Sequence, residues 1–351
     1  RRAIGEVEKK FGPDPISDGR RRLVVTRASE ISAKPIKYLK QGQVPLGTFG
    51  LLGGREAVGK SLEAIGMAAD LTRGRMPGEY VGVPKGVAIV ATEDSWAHVI
   101  VPRLMGAGAD LDRVIRVDAV AAEGFDSALS LPKDIEGLKD VIAENGVALV
   151  ILDPLLSRLD PSLDTHKDAD VRRALEPLAR LAEETGVVVL GLIHVNKKEA
   201  DPLTTLMASR AFVAVARFVL FMALDPANAE RVLLGLPKNQ YGPTSGPTMV
   251  GHVESVSVAD TEDGPVTAAL MVWDGESGTG IQDVAAMRTV TATDAAVEWL
   301  RAYLGEGPAA RQDVIQAGKE AGHSETTIKN AAKRIRVVST TGDFPRRAYW
   351  A

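Results

Sequence analysis

Apolar and polar residues alternate along most of the chain in blocks that predict strands followed by helices. Continuous apolar runs, typical of strands buried on both faces, lie at residues 48–52, 87–92, 114–117, 147–152, 187–193, 218–224 and 232–236. Helically spaced apolar residues with charged residues between them lie at 61–71, 96–107, 134–144 and 168–184. This alternation predicts an α/β fold with a mainly parallel sheet that helices cover on both faces.

The chain after residue 250 follows a different pattern. Residues 252–258 and 266–273 alternate around a turn at 261–264, which predicts a hairpin that completes the sheet. Residues 274–283 are rich in Gly, Ser and Asp, a composition typical of a linker.

A separate small unit is predicted beyond this linker. Helical patterns at 294–304, 311–321 and 325–336 are followed by short strand patterns at 337–340 and 348–350. Three helices and a two-strand wing are the order of a winged helix. We therefore predict an N-terminal arm or linker over 1–44, an α/β core over 45–283 and a winged-helix-like domain over 284–351.

The segment from Gly54 to Ser61 reads G-x-x-x-x-G-K-S and lies between a predicted strand and a predicted helix. Glycines allow backbone N–H groups to approach a polyphosphate, and the helix N-terminus adds partial positive charge. Lys60 can reach the β- and γ-phosphates, and the Ser61 hydroxyl can ligate Mg²⁺. The predicted nucleotide-binding residues of this loop are Gly54, Arg55, Glu56, Ala57, Val58, Gly59, Lys60, Ser61 and Leu62.

Polar residues follow three other predicted strands. Asp153 ends the run 147–152 and is predicted to hold Mg²⁺ together with Ser61. Glu93 follows the run 87–92, which we expect to lie next to the P-loop strand, and it is the predicted base that polarises the attacking water. His194 ends the run 187–193 and is predicted to contact the γ-phosphate region, although a lone histidine is more often structural.

A guanine-binding alternative can be rejected. Residues 196–199 read Asn-Lys-Lys-Glu, close to the guanine-reading motif N-K-x-D, but the last residue is Glu. Asp153 is followed by Pro-Leu-Leu rather than by the D-x-x-G pattern of GTPases. ATP with Mg²⁺ is therefore the expected cofactor pair.

Composition narrows the remaining possibilities. The 351 residues carry a net charge of −4, so any nucleic-acid binding must come from local basic patches. The absence of cysteine excludes disulfides, thiolate zinc sites and cysteine nucleophiles, and fits a cytoplasmic location. The longest apolar runs are far shorter than the roughly 18 residues of a membrane span.

Basic residues occur in two long polar connections and in the last helix and wing. Basic loops can line a channel for single-stranded DNA, and a winged helix can contact phosphates. The predicted DNA contacts are Arg158, Lys167, Lys197, Lys198, Lys329, Lys333, Arg334 and Arg346. The C-terminal unit could equally mediate protein contacts.

The order of motifs resembles that of a known family. After the P-loop come EDS at 93–95, LDP at 152–154, IHVNK at 193–197, ASRAFVAVAR at 208–217 and KNQYG at 238–242, with DADVRRALEPLARLAEETG at 168–186. These motifs resemble the RecA-like AAA_25 group, to which the RepA-type hexameric helicases belong. The resemblance covers residues 30–280 and implies a RecA-like P-loop NTPase core.

The resemblance also implies roles for individual residues. Arg103 would stack on the adenine, and His194 would act as the sensor of the γ-phosphate. Arg217 would be an arginine finger given to the next subunit, supported in trans by Lys238. Related ring helicases carry a K-x-R pair at this point, whereas Lys238 is followed two residues later by Gln240.

These observations lead to one expected function and two alternatives. We expect a Mg²⁺-dependent ATPase that forms a homo-oligomer, a hexameric ring, and translocates on single-stranded DNA or unwinds DNA during replication. A recombination or annealing ATPase without unwinding is the first alternative. An ATP-switched DNA-binding initiator or regulator is the second.

Overall fold

The computed structural model describes residues 25–120, 126–127, 129–195, 210–244, 246–286, 292–305, 307–341 and 348–351. The chain divides into two compact units, Arg1–Ile36 and Lys37–Ala351. In the first unit, the described residues are exposed and contain one short 3₁₀ helix, Ala28–Glu30.

The second unit contains all the strands and α-helices of the described residues. The strands are β1 (Tyr38–Lys40), β2 (Val44–Pro45), β3 (Phe49–Gly54), β4 (Gly86–Ala91), β5 (Val114–Arg116), β6 (Ala119–Val120), β7 (Asp126–Ser127), β8 (Val147–Asp153), β9 (Val188–His194), β10 (Phe218–Asp225), β11 (Asn228–Asn239), β12 (Thr248–Thr261), β13 (Gly264–Ser277), β14 (Ala309–Ala310), β15 (Ser339–Thr341) and β16 (Ala348–Trp350). The α-helices are α1 (Lys60–Thr72), α2 (Val101–Gly106), α3 (Ile135–Glu144), α4 (Asp168–Thr185), α5 (Arg210–Val215), α6 (Ile281–Ala286), α7 (Ala292–Gly305), α8 (Arg311–Glu320) and α9 (Glu325–Arg334). A π-helix spans Trp96–Ile100, and further 3₁₀ helices span Leu111–Arg113 and Leu156–Arg158.

A nine-stranded sheet organises the fold, in the order β13-β12-β11-β10-β3-β9-β8-β4-β5. Pairing is parallel from β10 to β5 and antiparallel from β10 to β13. The predicted α/β fold with a mainly parallel sheet is therefore confirmed. The predicted hairpin of the late chain is β12–β13, at the antiparallel edge.

Both faces of the sheet are covered, which explains the continuous apolar runs. Successive residues of a strand point to opposite faces, so a strand between two helical layers needs apolar side chains throughout. Val189 and Ile193 of β9 pack in the cluster that includes α3 and α4. Val188 and Leu190 pack in the cluster that includes α1 and α2.

The expected neighbour of the P-loop strand was wrong. Glu93 follows β4, and β4 is separated from β3 by β9 and β8. The neighbours of β3 are instead β9 and β10. Chain order does not fix strand order in a parallel sheet, because each crossover can pass over one or more strands. Glu93 nevertheless lies at the same edge as the P-loop, since parallel strands end on the same side.

The predicted linker at 274–283 was also wrong. Strand β13 continues to Ser277, and α6 begins at Ile281. The backbone N–H of Ile281 donates to Thr248 Oγ1 at 2.9 Å, and the Ile281 side chain packs against Gly235 of β11. Gly/Ser/Asp richness here marks the tight turn between the strand and a helix that is docked on the core.

The C-terminal residues form three helices and a small sheet. Helices α7, α8 and α9 enclose a separate apolar cluster that includes Leu300, Val314, Ile328 and Trp350. The small sheet has the order β14-β16-β15, so a third strand joins the two expected ones. Ser324 caps α9 by accepting a hydrogen bond from the backbone N–H of Thr327. The interpretation of this unit as a winged helix remains a prediction.

The predicted arm over 1–44 extends too far. Strands β1 and β2 pair as a hairpin, and Leu39 and Val44 are fully buried in the core. This hairpin is tied to α1 through Glu63, a carboxylate that is only 3% exposed. Glu63 lies 3.5 Å from Lys40 Nζ and accepts a hydrogen bond from Trp273 Nε1 at 2.9 Å. One buried carboxylate thus joins an early hairpin, the P-loop helix and strand β13.

Glu63→Ala is expected to lower the free energy of unfolding by about 3 kcal/mol, because it leaves the Lys40 ammonium and the Trp273 N–H without their partner. Chemical denaturation followed by tryptophan fluorescence measures this. Glu79→Ala, which breaks the exposed pair with Lys37, is the matched control and should leave stability unchanged. Equal stability of the two variants would contradict the clamp role of Glu63.

Among the described residues, no helix combines the length and apolar character needed to cross a membrane.

Candidate nucleotide site

The P-loop connects β3 to α1 at the edge where the parallel strands end. Gly59 caps the helix at φ 94°, a left-handed conformation that favours glycine, and a Cβ there would lie 2.5 Å from Met271 Cε. Arg55, Glu56 and Ala57 are exposed, whereas the Val58 side chain is buried in the core. The loop is therefore anchored by Val58 and offers its backbone to a ligand.

Lys60 lies buried beneath the loop. Its ammonium donates to the carbonyl oxygens of Gly54 at 3.0 Å and Arg55 at 2.7 Å, and lies 3.1 Å from His194 Nδ1. Burial lowers the pKa of Lys60 to about 8, and the charges of Asp153 and Glu56 oppose the shift. A polyphosphate beside the ammonium would favour its charged form and raise this pKa again.

A cavity of about 250 Å³ opens beside the loop. Its walls contain P-loop residues from Ala57 to Leu62 together with apolar side chains of α1, β4 and β8. The predicted site residues that line it are Lys60, Ser61, Glu93, Arg103, Asp153 and His194. Six residues spread over 135 positions of sequence thus meet at one place, as the strand-end argument predicted.

Ser61 and Asp153 form the closest polar pair of the cavity. Ser61 Oγ donates to Asp153 Oδ2 at 2.6 Å, although β3 and β8 are not neighbours in the sheet. Burial raises the pKa of the Asp153 carboxyl, and repulsion from Asp94 and Glu93 acts in the same direction, whereas the Ser61 hydrogen bond and Lys60 lower it.

This pair fits Mg²⁺. A hydroxyl and a carboxylate are hard oxygen ligands, and a cation would relieve the repulsion among Asp153, Asp94 and Glu93. The described residues contain no cluster of three His, Asp or Glu side chains that could hold a metal. A Mg²⁺ held by one or two protein oxygens with substrate phosphates and water needs no such cluster.

The residues after β4 form the opposite wall. Ser95 caps the π-helix Trp96–Ile100 by accepting from the backbone N–H of His98. Arg103, on α2, donates to Asp94 Oδ2 at 2.9 Å. This ion pair places the guanidinium at the cavity, where the adenine contact was predicted. Glu93 itself is exposed and carries no backbone constraint beyond its position after the strand.

Arg217 and Lys238 lie at the opposite end of the sheet. Phe218 pairs with Gly50 at the start of β3, whereas the P-loop begins at its end. Arg217 is therefore roughly 16 Å from the P-loop edge along the strand direction. Its Nη1 donates to Gln240 Oε1 at 2.7 Å, and Lys238 Nζ donates to the carbonyl of Val213. Burial, and then the charge of Arg217, lower the pKa of Lys238.

The predicted DNA contacts have mixed outcomes. Arg158 was wrongly placed on the surface, because its side chain is 4% exposed. Lys167 is exposed and pairs with Asp164 at 3.4 Å. Lys333 is exposed as well. Lys197, Lys198 and Arg346 lie outside the described residues.

Two of the C-terminal cations are paired with carboxylates. Lys329 lies 2.8 Å from Glu325, and Arg334 lies 2.8 Å from Asp294. The local basic excess of this unit is therefore smaller than the sequence suggested. Three contacts of the core escaped sequence reasoning: Glu63 with Trp273, Asp94 with Arg103, and Arg158 with Thr92. Only the second left a signal, an acid and a base on either side of a helix start.

A glycine-rich loop between a parallel strand and a helix, with Ser61 and Asp153 in contact, defines a P-loop nucleotide-binding protein. The family model AAA_25, an AAA domain, matches residues 16–200, more than half of the chain, and the chain belongs to this family. It is thus a P-loop ATPase, and the resemblance drawn from the motif order is confirmed.

Two further comparisons complete the picture. Among solved structures, an isolated ATPase domain is similar with a TM-score of 0.45 and 17% identity, over 57% of this chain and 80% of that one. No curated protein matches the sequence.

Ser61→Ala should weaken ATP binding in the presence of Mg²⁺ by about tenfold or more, because it removes the hydroxyl ligand, while binding in EDTA stays within about twofold. Titration with a fluorescent ATP analogue, with and without EDTA, measures both affinities. Ser257→Ala, on the exposed part of β12, is the control. An equal loss in the two buffers would show that Ser61 acts on the loop rather than on the metal.

Proposed function

We propose that the protein is a Mg²⁺-dependent ATPase that assembles into a ring, hydrolyses ATP between subunits, and translocates on or unwinds DNA in replication. The observation that carries this proposal is the separation of the two halves of the hydrolytic machinery. Lys60, Glu93 and Asp153 lie at one end of the sheet, and Arg217 and Lys238 lie at the other. Arg217 cannot reach the site of its own chain, so a second copy completes it.

The residues of the cavity divide the work. Lys60 binds the β- and γ-phosphates, and Ser61 with Asp153 holds Mg²⁺, which supplies charge neutralisation on the phosphate oxygens. Glu93 accepts a hydrogen bond from the attacking water and orients it for in-line displacement. His194, in contact with Lys60, lies where loss of the γ-phosphate changes the hydrogen bonding of the ammonium.

The neighbouring subunit supplies the last charge. The partner subunit's Arg217 stabilises the charge that develops on the transferred phosphoryl group, as arginine fingers do. Gln240, where related rings have arginine, accepts a hydrogen bond from Arg217. Gln240 therefore orients the single arginine, and Lys238 adds a second positive charge behind it.

Action on DNA is the less direct part of the proposal. Support comes from the motif order that resembles ring helicases and from the exposed Lys167 in the loop that follows β8. A recombination or annealing ATPase without unwinding would use the same site. Duplex unwinding, measured beside strand annealing, separates the two.

The separate apolar core of α7–α9 favours the third candidate, an ATP-switched DNA-binding regulator. Under the ring proposal, a chain that ends after Ala286 should keep at least about half of its DNA-stimulated ATPase, because every cavity residue and α6 remain. Steady-state turnover with and without single-stranded DNA measures this. Loss of DNA stimulation with unchanged basal turnover would favour the regulator.

Mixing two inactive variants tests the shared site. Glu93→Gln and Arg217→Ala are each expected to lower turnover about 100-fold or more, because one removes the base and the other the finger. Mixed subunits contain interfaces with an intact Glu93 on one side and an intact Arg217 on the other. An equal mixture should therefore recover up to about a quarter of wild-type turnover, as random assembly predicts.

Two controls accompany the mixture. Glu93→Gln alone should still bind ATP, and co-assembly of the two variants should be verified by energy transfer between labelled subunits. Failure of co-assembled variants to recover any turnover would contradict hydrolysis between subunits. Near-normal turnover of Glu93→Gln alone would contradict its role as base.

A further inference from the structure

Arg158 is a buried cation directly behind the nucleotide site. It ends the 3₁₀ helix Leu156–Arg158, which follows the strand that carries Asp153. Its carbonyl accepts a hydrogen bond from the backbone N–H of Leu131 at 2.7 Å. Its Nη2 donates to Thr92 Oγ1 at 3.1 Å. The guanidinium is thus held against the residue that immediately precedes Glu93.

The rest of this guanidinium lacks acceptors. Arg158 Nε and Nη1 are both buried and have no hydrogen-bond partner among the described residues. A buried charged donor without an acceptor is unfavourable, and such groups in folded proteins usually serve a function. Burial lowers the pKa of Arg158, and the negative charge of Glu93 opposes this shift.

The carboxylates near Thr92 do not compete equally for Arg158. Asp94 is already paired with Arg103 at 2.9 Å. Asp153 accepts a hydrogen bond from Ser61. Glu93 is the carboxylate next to Thr92 in the chain, and its exposed side chain is free to turn. Two cations thus serve two consecutive acids, Arg103 for Asp94 and Arg158 for Glu93.

We propose that Arg158 is the positioning residue of Glu93: its two free donors take the Glu93 carboxylate in the ATP-bound site and hold it, ionised, towards the attacking water. The inference rests on the proposed role of Glu93 as base. Arg158 does not line the cavity and does not touch the nucleotide, so it acts through Glu93. Thr92 fixes the guanidinium, which sets the direction from which Glu93 is held.

The test compares Arg158→Met, Arg158→Lys and Thr92→Val with the wild-type chain. Arg158→Met should lower kcat about 30- to 100-fold with the KM for ATP within about twofold, because it removes an interaction made only when the water is activated. The acid limb of the kcat–pH profile should move up by about one unit, because Glu93 loses a neighbouring positive charge.

The other two variants separate charge from geometry. Arg158→Lys keeps the charge, so its acid limb should stay near that of the wild type while kcat recovers only in part. Thr92→Val should lower kcat several-fold without moving the acid limb. Arg158→Met replaces an unsatisfied buried charge by an apolar side chain of similar length, so its melting temperature should not fall. Arg113→Met, at an exposed arginine, is the control and should behave as wild type.

Each outcome decides between the two proposals. If Glu93→Gln is inactive but Arg158→Met keeps wild-type kcat, the positioning role is overturned and the role of Glu93 stands. If Arg158→Met and Arg158→Lys lose kcat equally with an unmoved acid limb, Arg158 is only structural, satisfied by buried water. If Glu93→Gln itself turns over ATP normally, the proposed function fails first.

Discussion

Parallel pairing of β3, β9, β8 and β4 is the constraint on which the candidate site depends. Parallel strands end at the same edge, and their register places Gly54 opposite His194 and Ala91 opposite Asp153. Because side chains alternate between faces, a slip of one residue in any of these strands would turn its core side chains towards the other layer. The two apolar layers therefore hold the positions of the catalytic groups as well as the stability of the fold.

The chemistry of the strand ends could be predicted from sequence, and the arrangement of the strands could not. A buried run followed by a carboxylate or histidine identifies Asp153, Glu93 and His194 wherever the strands lie in the sheet. The neighbour of the P-loop strand depends on which crossover skips which strand, and no local pattern encodes this. Arg158 was misplaced for a related reason. An arginine in a polar loop is usually exposed, and its burial is set by residues 129–131, which come from a distant part of the chain.

The boundaries of the core were obscured by turn composition. Gly, Ser and Asp at 274–283 are typical of a linker, but here they connect β13 to a helix that packs on β11. The N-terminal hairpin was hidden by its short strands, and Glu63 reveals why it belongs to the core. Its carboxylate lies one turn into the P-loop helix and contacts residues 23 positions earlier and 210 positions later. The helix that binds phosphate is thus held from both ends of the sequence.

The position of Arg217 has a mechanical consequence. In the proposed assembly, each sheet is a stiff beam whose two ends belong to two different catalytic sites. A subunit that tilts about its P-loop by about 10° moves an arginine roughly 16 Å away by about 3 Å, which is the length of a hydrogen bond. Small changes of tilt between neighbours would therefore switch the finger between contact and no contact. The length of the strands sets the gain of this lever.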